Sequence, residues 1–205
     1  MTDEYLLELG RYHAILYNRA QFLLSEYGGQ IRQDLHDLAK VGMRMRRMDK
    51  PARHILEIGT YDGGWPFMMN GMWHKDFQYI GVDNDTLPGR RAIREKVLAS
   101  IGHGTTQMWN MDSTLRATAN AVAALMPSVD ILHIDGAHGS ETVLSDWEVY
   151  SPMVRKGGLI VLHDLQTPGI LNIWNRLIKP HYKCEDLSGY VYQITHRGGV
   201  GVVHV

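Results

Sequence analysis

Residues 53–64 (RHILEIGTYDGG) constrain the fold of this chain more than any other stretch. Ile55, Leu56 and Ile58 form a short apolar run, typical of a strand buried in a parallel sheet. Glycines at 59, 63 and 64 follow, and Pro66 suits the first turn of a helix. The stretch predicts a strand, a glycine loop and a helix, the unit that forms a ligand crevice at the carboxyl ends of the strands in open α/β sheets.

The glycine spacing narrows the class of ligand. A dinucleotide fingerprint needs glycine at position 61, where Tyr61 stands, and no Lys-Ser or Lys-Thr pair follows to make a P-loop. The carboxylate of Glu57 suits a ligand that carries an amino group and a positive charge. These features favour S-adenosylmethionine (SAM), while an ordinary strand-to-helix turn remains the alternative.

Length and composition exclude several other classes of protein. A chain of 205 residues fits one core, and a net charge of -1 offers no attraction for nucleic acid or an anionic membrane. No run of 18 apolar residues predicts a membrane span. Cys184 is the only cysteine, and the first residues are acidic where a secretory signal is basic. We therefore expect a cytoplasmic protein with no nucleic-acid or membrane partner.

Two amphipathic helices are predicted before the first strand, over residues 3–26 and 31–47. They divide the chain into a helical extension, residues 1–48, and a SAM-binding domain, residues 49–205. The extension is expected either to cover the acceptor site or to pair subunits, which predicts a homo-oligomer.

Acidic residues follow the next two predicted strands. Residues 77–83 end in Asp83, which lies 24 residues after Gly59, close to the spacing at which an acid reaches ribose hydroxyls. A turn residue at the strand end is the alternative. After a predicted helix over 87–101, residues 105–111 form a third strand, and Ser113 and Thr114 open a helix over 114–126.

The most specific signal is a pair of buried strands that end in Asp and His. Residues 129–138 end in Asp-Gly-Ala-His, and after a helix over 140–154 and a Lys-Gly-Gly turn at 156–158, residues 159–164 end in His-Asp. Parallel strands place Asp135, His138, His163 and Asp164 beside the glycine loop. His133, inside the strand, is interpreted as a core residue with a hydrogen-bond partner rather than as a ligand.

These motifs together resemble class I SAM-dependent methyltransferases, in particular the branch of macrocin O-methyltransferase and the cephalosporin hydroxylase-like proteins. The likeness rests on LEIGTYDGG, IDGAH, the helix around Asp146, KGG, LHD and TPG, and covers about residues 50–180. Asp62 and Trp65 depart from the family's usual Arg and Ser. The resemblance implies an α/β, Rossmann-like, doubly wound sheet of about seven strands with a reversed last strand. Here two strands are predicted at the end of the chain, residues 190–195 and 200–205, and this hairpin-like ending matches the reversed last strand.

The resemblance also implies roles for individual residues. Asp112 matches the acid that contacts the adenine amino group, with local helix capping as the alternative, and His138 matches the proposed general base. The implied cofactor-binding set is Glu57, Gly59, Thr60, Tyr61, Gly63, Gly64, Asp83, Asn84, Asp112, Ser113 and Asp135.

Metal assistance is predicted from the carboxylate pair. Asp135 and Asp164 suit Mg²⁺, since hard cations prefer carboxylate oxygens. His163 is either a third ligand, which favours Mn²⁺ or Fe²⁺, or only orients Asp164. The family often carries an acid at the position of His163.

The predicted function is transfer of the SAM methyl group to a hydroxyl of a small molecule, a sugar or other natural product. The alternatives are a SAM-binding protein of this fold without transferase activity, a methyltransferase with a non-oxygen acceptor, or an oxidoreductase, which Tyr61 disfavours.

Overall fold

A computed structural model describes residues 2–29, 34–86, 89–188 and 198–205 of the chain. Helices and strands alternate after two N-terminal helices. The elements are α1 (Asp3–Phe22), α2 (Leu35–Arg46), β1 (His54–Ile58), α3 (Gly64–Met69), β2 (Gln78–Asp83), α4 (Arg90–Ala99), β3 (Thr105–Asn110), α5 (Arg116–Leu125), β4 (Val129–Ile134), α6 (Ser140–Tyr150), β5 (Val154–His163), α7 (Pro168–Ile173), β6 (Lys183–Asp186) and β7 (Val200–His204). Short π-helical turns, Leu23–Tyr27 and Trp174–Ile178, extend α1 and α7.

The seven strands form one sheet in the order β3-β2-β1-β4-β5-β7-β6. Strands β1 to β5 are parallel, and β7 runs antiparallel to both of its neighbours, β5 and β6. The predicted α/β fold with a reversed last strand is therefore confirmed. The strand order reverses between β1 and β4, and an open α/β sheet opens its ligand crevice at that point.

Alternation along the strands builds two hydrophobic cores, one on each face of the sheet. In β1, Ile55 belongs to the core under α1 to α4, whereas Leu56 and Ile58 belong to the core under α5 to α7. Both faces are covered, so the parallel strands are apolar on both sides. This explains the consecutive apolar residues in the strands, such as residues 159–162 of β5.

The N-terminal helices pack on the first of these cores. Leu9 and Leu16 of α1 and Leu23 of the following π-helical turn are buried at seven-residue spacing and share a cluster with strand residues such as Ile55. The predicted first helix is confirmed, and of the predicted second helix the residues from 35 to 46 are helical while 30–33 lie outside the described residues. The division of the chain at residues 48 and 49 stays a prediction.

Two details of the chain differ from the sequence analysis. The predicted turn at residues 156–158 is an irregular part of β5, where Gly157 has a φ of +79° and the pairing with β4 shifts between Val129 and Ile131. Glycine signals a turn and a β-bulge alike, so the pattern could not separate them.

The second difference concerns the edge of the sheet. The predicted strand at 190–195 lies outside the described residues, and β7 pairs with β6, which was not predicted. Its sequence, Lys-Cys-Glu-Asp, has low strand propensity, but charged residues are frequent on edge strands, where they discourage pairing between molecules. Among the described residues, no helix has the length and apolar character needed to cross a membrane.

Candidate active site

The glycine loop after β1 meets the end of β4 at very close range. Gly59 has a φ of +83°, and its N–H donates to the carbonyl of Val82 at 2.8 Å. A Cβ atom on Gly59 would collide with the carbonyl oxygen of Asp135. Only glycine fits this position, for reasons of both φ and space.

Asp83 clamps the glycine loop from the end of β2. One oxygen of its carboxylate accepts hydrogen bonds from the backbone N–H groups of Thr60 and Tyr61, each at 2.9 Å. The other oxygen accepts from the N–H of Asp85 at 2.8 Å. Asp83, which was predicted to bind the ribose, thus organises the backbone of the glycine loop.

Arg94 of α4 completes this clamp, and the sequence analysis missed it. Its guanidinium is 3 % exposed, donates to the carbonyl of Tyr61 at 3.0 Å, and pairs with the carboxylates of Asp85 and, at 3.8 Å, Asp83. The available signal was its spacing, because Arg94 lies on the same helical face as the buried Val97 and Leu98.

A cleft of about 300 Å³ opens beside these residues, at the carboxyl ends of β1 to β5. Three described non-glycine residues have positive φ, namely Tyr61, Asp85 and Asp164, and all three line it. Such backbone strain concentrates at functional sites. The predicted site residues that line the cleft are Gly59, Tyr61, Asp83, Asn84, Asp112, Ser113, Asp135, His138, His163 and Asp164.

The four Asp and His residues at the ends of β4 and β5 form one cluster. His163 Nδ1 lies 2.9 Å from Asp135 Oδ1 and 3.4 Å from Asp164 Oδ2. His138 Nε2 lies 2.7 Å from Asp164 Oδ2. One ligand atom each from Asp135, His138 and Asp164 lies within 4.8 Å of the others. The cluster therefore brings together all four residues predicted for catalysis and metal binding.

The charges in the cluster depend on each other. Burial alone would lower the pKa of His163, yet Asp135 and Asp164 raise that pKa to about 10. Burial likewise favours neutral Asp164, but hydrogen bonds to His138 and His163 hold the pKa of Asp164 well below its ordinary value. The pKa of His138 is raised, chiefly by its hydrogen bond to Asp164. His163 is therefore an imidazolium that offsets the repulsion between the two carboxylates.

Four residues of the predicted cofactor set lie outside the cleft lining: Glu57, Thr60, Gly63 and Gly64. Glu57 is buried on the face of the sheet that α1 to α4 cover. There its carboxylate accepts a hydrogen bond from the hydroxyl of Tyr79 and lies 2.9 Å from His133 Nδ1. His133 also stacks on Trp65, with ring centroids 4.2 Å apart. Because alternate residues of a strand face opposite sides, Glu57 and His133, which are register partners, meet beneath the sheet.

Asp112 has a local role. Its carboxylate accepts from the N–H and the hydroxyl of Thr114, at 2.9 and 2.7 Å, which lowers its pKa. Helix α5 begins two residues later, at Arg116, with no side-chain cap on its first turn. The expected local hydrogen bonding is present, and a contact with adenine stays a prediction.

Asp146 of α6 is a second residue that the sequence analysis did not assign to the site. Its side chain is fully buried beside Gly136, and neither carboxylate oxygen makes a hydrogen bond of good geometry among the described residues, although the Ser113 hydroxyl lies close enough to interact with it. Burial raises its pKa to about 6, although the nearby Ser113 hydroxyl acts in the opposite direction. The sequence signal was an acid among the apolar positions of a predicted helix.

Comparison with known proteins identifies the class that this fold and site define. A doubly wound sheet with a reversed last strand and a cleft at its switch point is the architecture of class I SAM-dependent methyltransferases. The chain belongs to the Methyltransf_24 family of methyltransferase domains, whose model matches residues 56–165, more than half of its length. The resemblance inferred from the sequence is confirmed, and the protein is a SAM-dependent methyltransferase.

Individual relatives are more distant. The chain is 27 % identical over 172 residues to uncharacterized protein R132 of Acanthamoeba polyphaga mimivirus, covering 80 % of this chain and 76 % of that one. It shares its fold with CalS11, a TDP-rhamnose 3'-O-methyltransferase of calicheamicin biosynthesis (TM-score 0.61, 18 % identity, 98 % and 94 % of the chains). It also shares it with TomG of Streptomyces achromogenes, solved with SAM (TM-score 0.57, 15 % identity, 93 % and 89 %).

Asp146 generates a prediction about stability. Because its pKa is about 6 in the fold and near 3.8 when unfolded, the native state binds the proton more tightly than the unfolded chain. The free energy of unfolding should therefore fall as the pH rises from about 4 to 6. We expect Asp146→Asn to remove this fall and to stabilise the protein by about 1–3 kcal/mol at pH 7.

Urea unfolding between pH 4 and 8 measures this effect. Glu148→Gln, at an exposed position of the same helix, is the matched control and should leave the pH profile unchanged. Parallel profiles for Asp146→Asn and the parent protein would contradict the prediction.

Proposed function

We propose that the protein transfers the methyl group of SAM to a hydroxyl oxygen of a small molecule, a sugar or another natural product. The observation that carries the proposal is one cleft lined at one end by the clamped glycine loop and at the other by the Asp135, His138, His163 and Asp164 cluster. Two proteins of the same fold, CalS11 and TomG, are O-methyltransferases of natural-product biosynthesis by name, which supports this acceptor class.

The proposed cofactor site runs along the ends of β1 to β4. Gly59 and Tyr61 flank the space for the methionine portion, Asp83 and Asn84 that for the ribose, and Asp112 and Ser113 that for the adenine. Thr60 supports the site from behind, since its N–H donates to Asp83. For Glu57 we propose an indirect role, because it holds β1 to β4 through His133 and lies outside the cleft lining.

Proton removal is the chemical task of the acidic end of the cleft. SAM supplies a methyl group on a positively charged sulfur, and the acceptor hydroxyl is a weak nucleophile until its proton has a place to go. His138 is half exposed at the cleft and hydrogen-bonded to Asp164, which orients its ring. We propose His138 as the general base, with Asp164 as its positioning partner.

The donor set of the same cluster fits a divalent cation. Asp135 and Asp164 supply carboxylate oxygens, and His163, whose Nδ1 lies within 3.4 Å of both, orients them rather than offering a ligand atom of its own. A bound Mg²⁺ or Mn²⁺ would lower the pKa of a coordinated hydroxyl. His138 can complete the ligand set or accept the proton, but one ring nitrogen cannot do both at once.

A SAM-binding protein without transferase activity is the alternative function. Cofactor binding requires neither histidine, whereas the structure holds both in a hydrogen-bonded cluster at the cleft. This observation favours the transferase.

The first prediction of the proposal concerns the cofactor. S-adenosylhomocysteine should bind, and Asp83→Ala should weaken binding by about 1–3 kcal/mol, because the charged acceptor of the loop amides and the ribose hydroxyls is lost. Calorimetry measures both affinities. Asp76→Ala, an exposed acid before the same strand, is the control. Tight binding of NAD together with no binding of S-adenosylhomocysteine would overturn the assignment.

The second prediction separates base from ligand at His138. Asp164→Ala should abolish turnover. Because Asp164 lies at the acceptor end of the cleft, the variant should bind S-adenosylhomocysteine with an affinity within about threefold of that of the parent protein. His138→Ala should lower turnover by roughly 10²–10⁴-fold. Titration of Mn²⁺ into parent and variant proteins decides the role. If His138 is only the base, His138→Ala should leave the affinity for Mn²⁺ unchanged. If His138 is a ligand, the same variant should bind Mn²⁺ more weakly. Full turnover in a chelator would remove the cation from the proposal.

The third prediction concerns α1 and the expected homo-oligomer. Exposed apolar side chains lie along this helix, and no described residue from 2–29 or 34–48 lines the cleft, which favours subunit pairing over site covering. Leu6, Gly10 and Tyr17 recur at steps of four and seven residues, with Leu7 beside them. We propose that this surface pairs with its copy in a second molecule.

Light scattering tests the pairing. Leu7→Glu with Tyr17→Glu should yield a monomer, because a charge cannot be buried there without a partner. Glu148→Lys, an exposed position of α6 on the other face of the sheet, should leave the mass unchanged. If the parent protein has the mass of a monomer at every concentration over a range of about 100-fold, the pairing is refuted.

A further inference from the structure

Asp146 is a buried carboxylate whose position in the fold costs stability. It lies on the face of α6 that packs against the sheet, fully buried, yet its carboxylate makes no hydrogen bond of good geometry among the described residues. A buried polar group in this state is expensive, and a well-packed apolar side chain would be more stable.

Its neighbours are the backs of two loops that line the cleft. A Cβ atom placed on Gly136 would lie 3.6 Å from Asp146 Oδ2, so the carboxylate fills the space behind the turn after β4. Ser113, in the turn after β3, lies on its other side. Both loops line the cleft, and the loop at Ser113 borders the space proposed for adenine.

The same face of α6 already binds one of these loops. Tyr150, four residues after Asp146, donates its hydroxyl hydrogen to the carbonyl of Ser113 at 2.9 Å. Residues four apart on a helix are neighbours. The helix thus offers a donor and an acceptor to a single residue, and only the acceptor lacks a hydrogen bond of good geometry.

We propose that Asp146 is a positioning residue of the cofactor site, whose carboxylate accepts a hydrogen bond from the Ser113 hydroxyl and so holds the loop at residues 112–114 in the conformation that takes the adenine half of SAM. This inference rests on the proposed cofactor site. Two observations support it: Tyr150 already holds the backbone of Ser113, and the Ser113 hydroxyl already acts on the pKa of Asp146.

The charges around Asp146 make this arrangement sensitive to pH. Asp112 from the loop and Tyr150 from α6 are the titratable groups that act with it, and Asp112, as a like charge, adds to the effect of burial on the pKa. With that pKa at about 6, the carboxylate is protonated in weakly acidic solution and no longer favours the Ser113 donor. Adenine binding should then weaken as the pH falls through 6.

The experiment uses 5'-methylthioadenosine, which carries the adenine half without the amino acid, beside S-adenosylhomocysteine. At pH 7.5, Asp146→Asn should weaken both ligands by about tenfold, the worth of one hydrogen bond to a charged group. From pH 7.5 to 5.5 the parent protein should lose affinity for 5'-methylthioadenosine more steeply than Asp146→Asn. A residue that serves only packing would not change this slope.

Two further variants keep the test decisive. Ser113→Ala should reproduce both the lower affinity and the flatter slope, and adding Asp146→Asn to it should cause no further loss; this arm stands even if Asp146→Asn folds poorly. Glu148→Gln, on the exposed side of α6, should match the parent protein.

The outcomes separate this inference from the proposed function. A parent protein that binds neither ligand overturns the cofactor site and the inference with it. A parent protein that binds both, together with Asp146→Asn of equal affinity and equal slope, overturns the role of Asp146 alone.

Discussion

The close approach between the ends of β1 and β4 is the contact on which the rest of the site depends. Gly59 lies against the carbonyl of Asp135 with no room for a side chain, and the N–H of Asp135 donates back to the carbonyl of Ile58 at 2.8 Å. The two strands therefore end at the same level. Because they are neighbours where the strand order reverses, their loops diverge and leave the cleft between them.

Charge organises both ends of that cleft. At the cofactor end, buried Arg94 holds Asp83 and Asp85, and Asp83 in turn holds the backbone N–H groups of the glycine loop. At the acceptor end, the His163 imidazolium lies between Asp135 and Asp164. Each end pairs buried cations with carboxylates, which is how a protein keeps charge in a poorly hydrated place. The carboxylate pair is thus compensated by the chain itself, and a cation would be an addition to this balance.

Asp146 stands apart from this pattern, since it is buried without a counter-charge. Sites that bind ligands often retain groups that cost stability, and natural sequences depart from good packing at such places. We attribute that cost to the proposed positioning role of Asp146 behind two loops of the cleft. Glu57 shows the opposite case, since its buried carboxylate has two partners, Tyr79 and His133, and its contact with the cofactor stays a prediction.

The sequence by itself determined the order of strands and helices, the glycine loop and the acids at the strand ends. Apolar runs and glycine spacing are local signals, and parallel strands carry their last residues to a common edge, so Asp135, His138, His163 and Asp164 were predictable together. Only the tertiary structure decided which way each side chain faces and which partner it meets. For that reason the sequence did not show that Glu57 faces Tyr79 and His133, since a one-residue step along a strand reverses the face. It also did not show that α4 brings Arg94 under a loop 33 residues away in sequence. The strand β6 was likewise decided by its pairing with β7, because its sequence, Lys-Cys-Glu-Asp, carries no strand signal of its own.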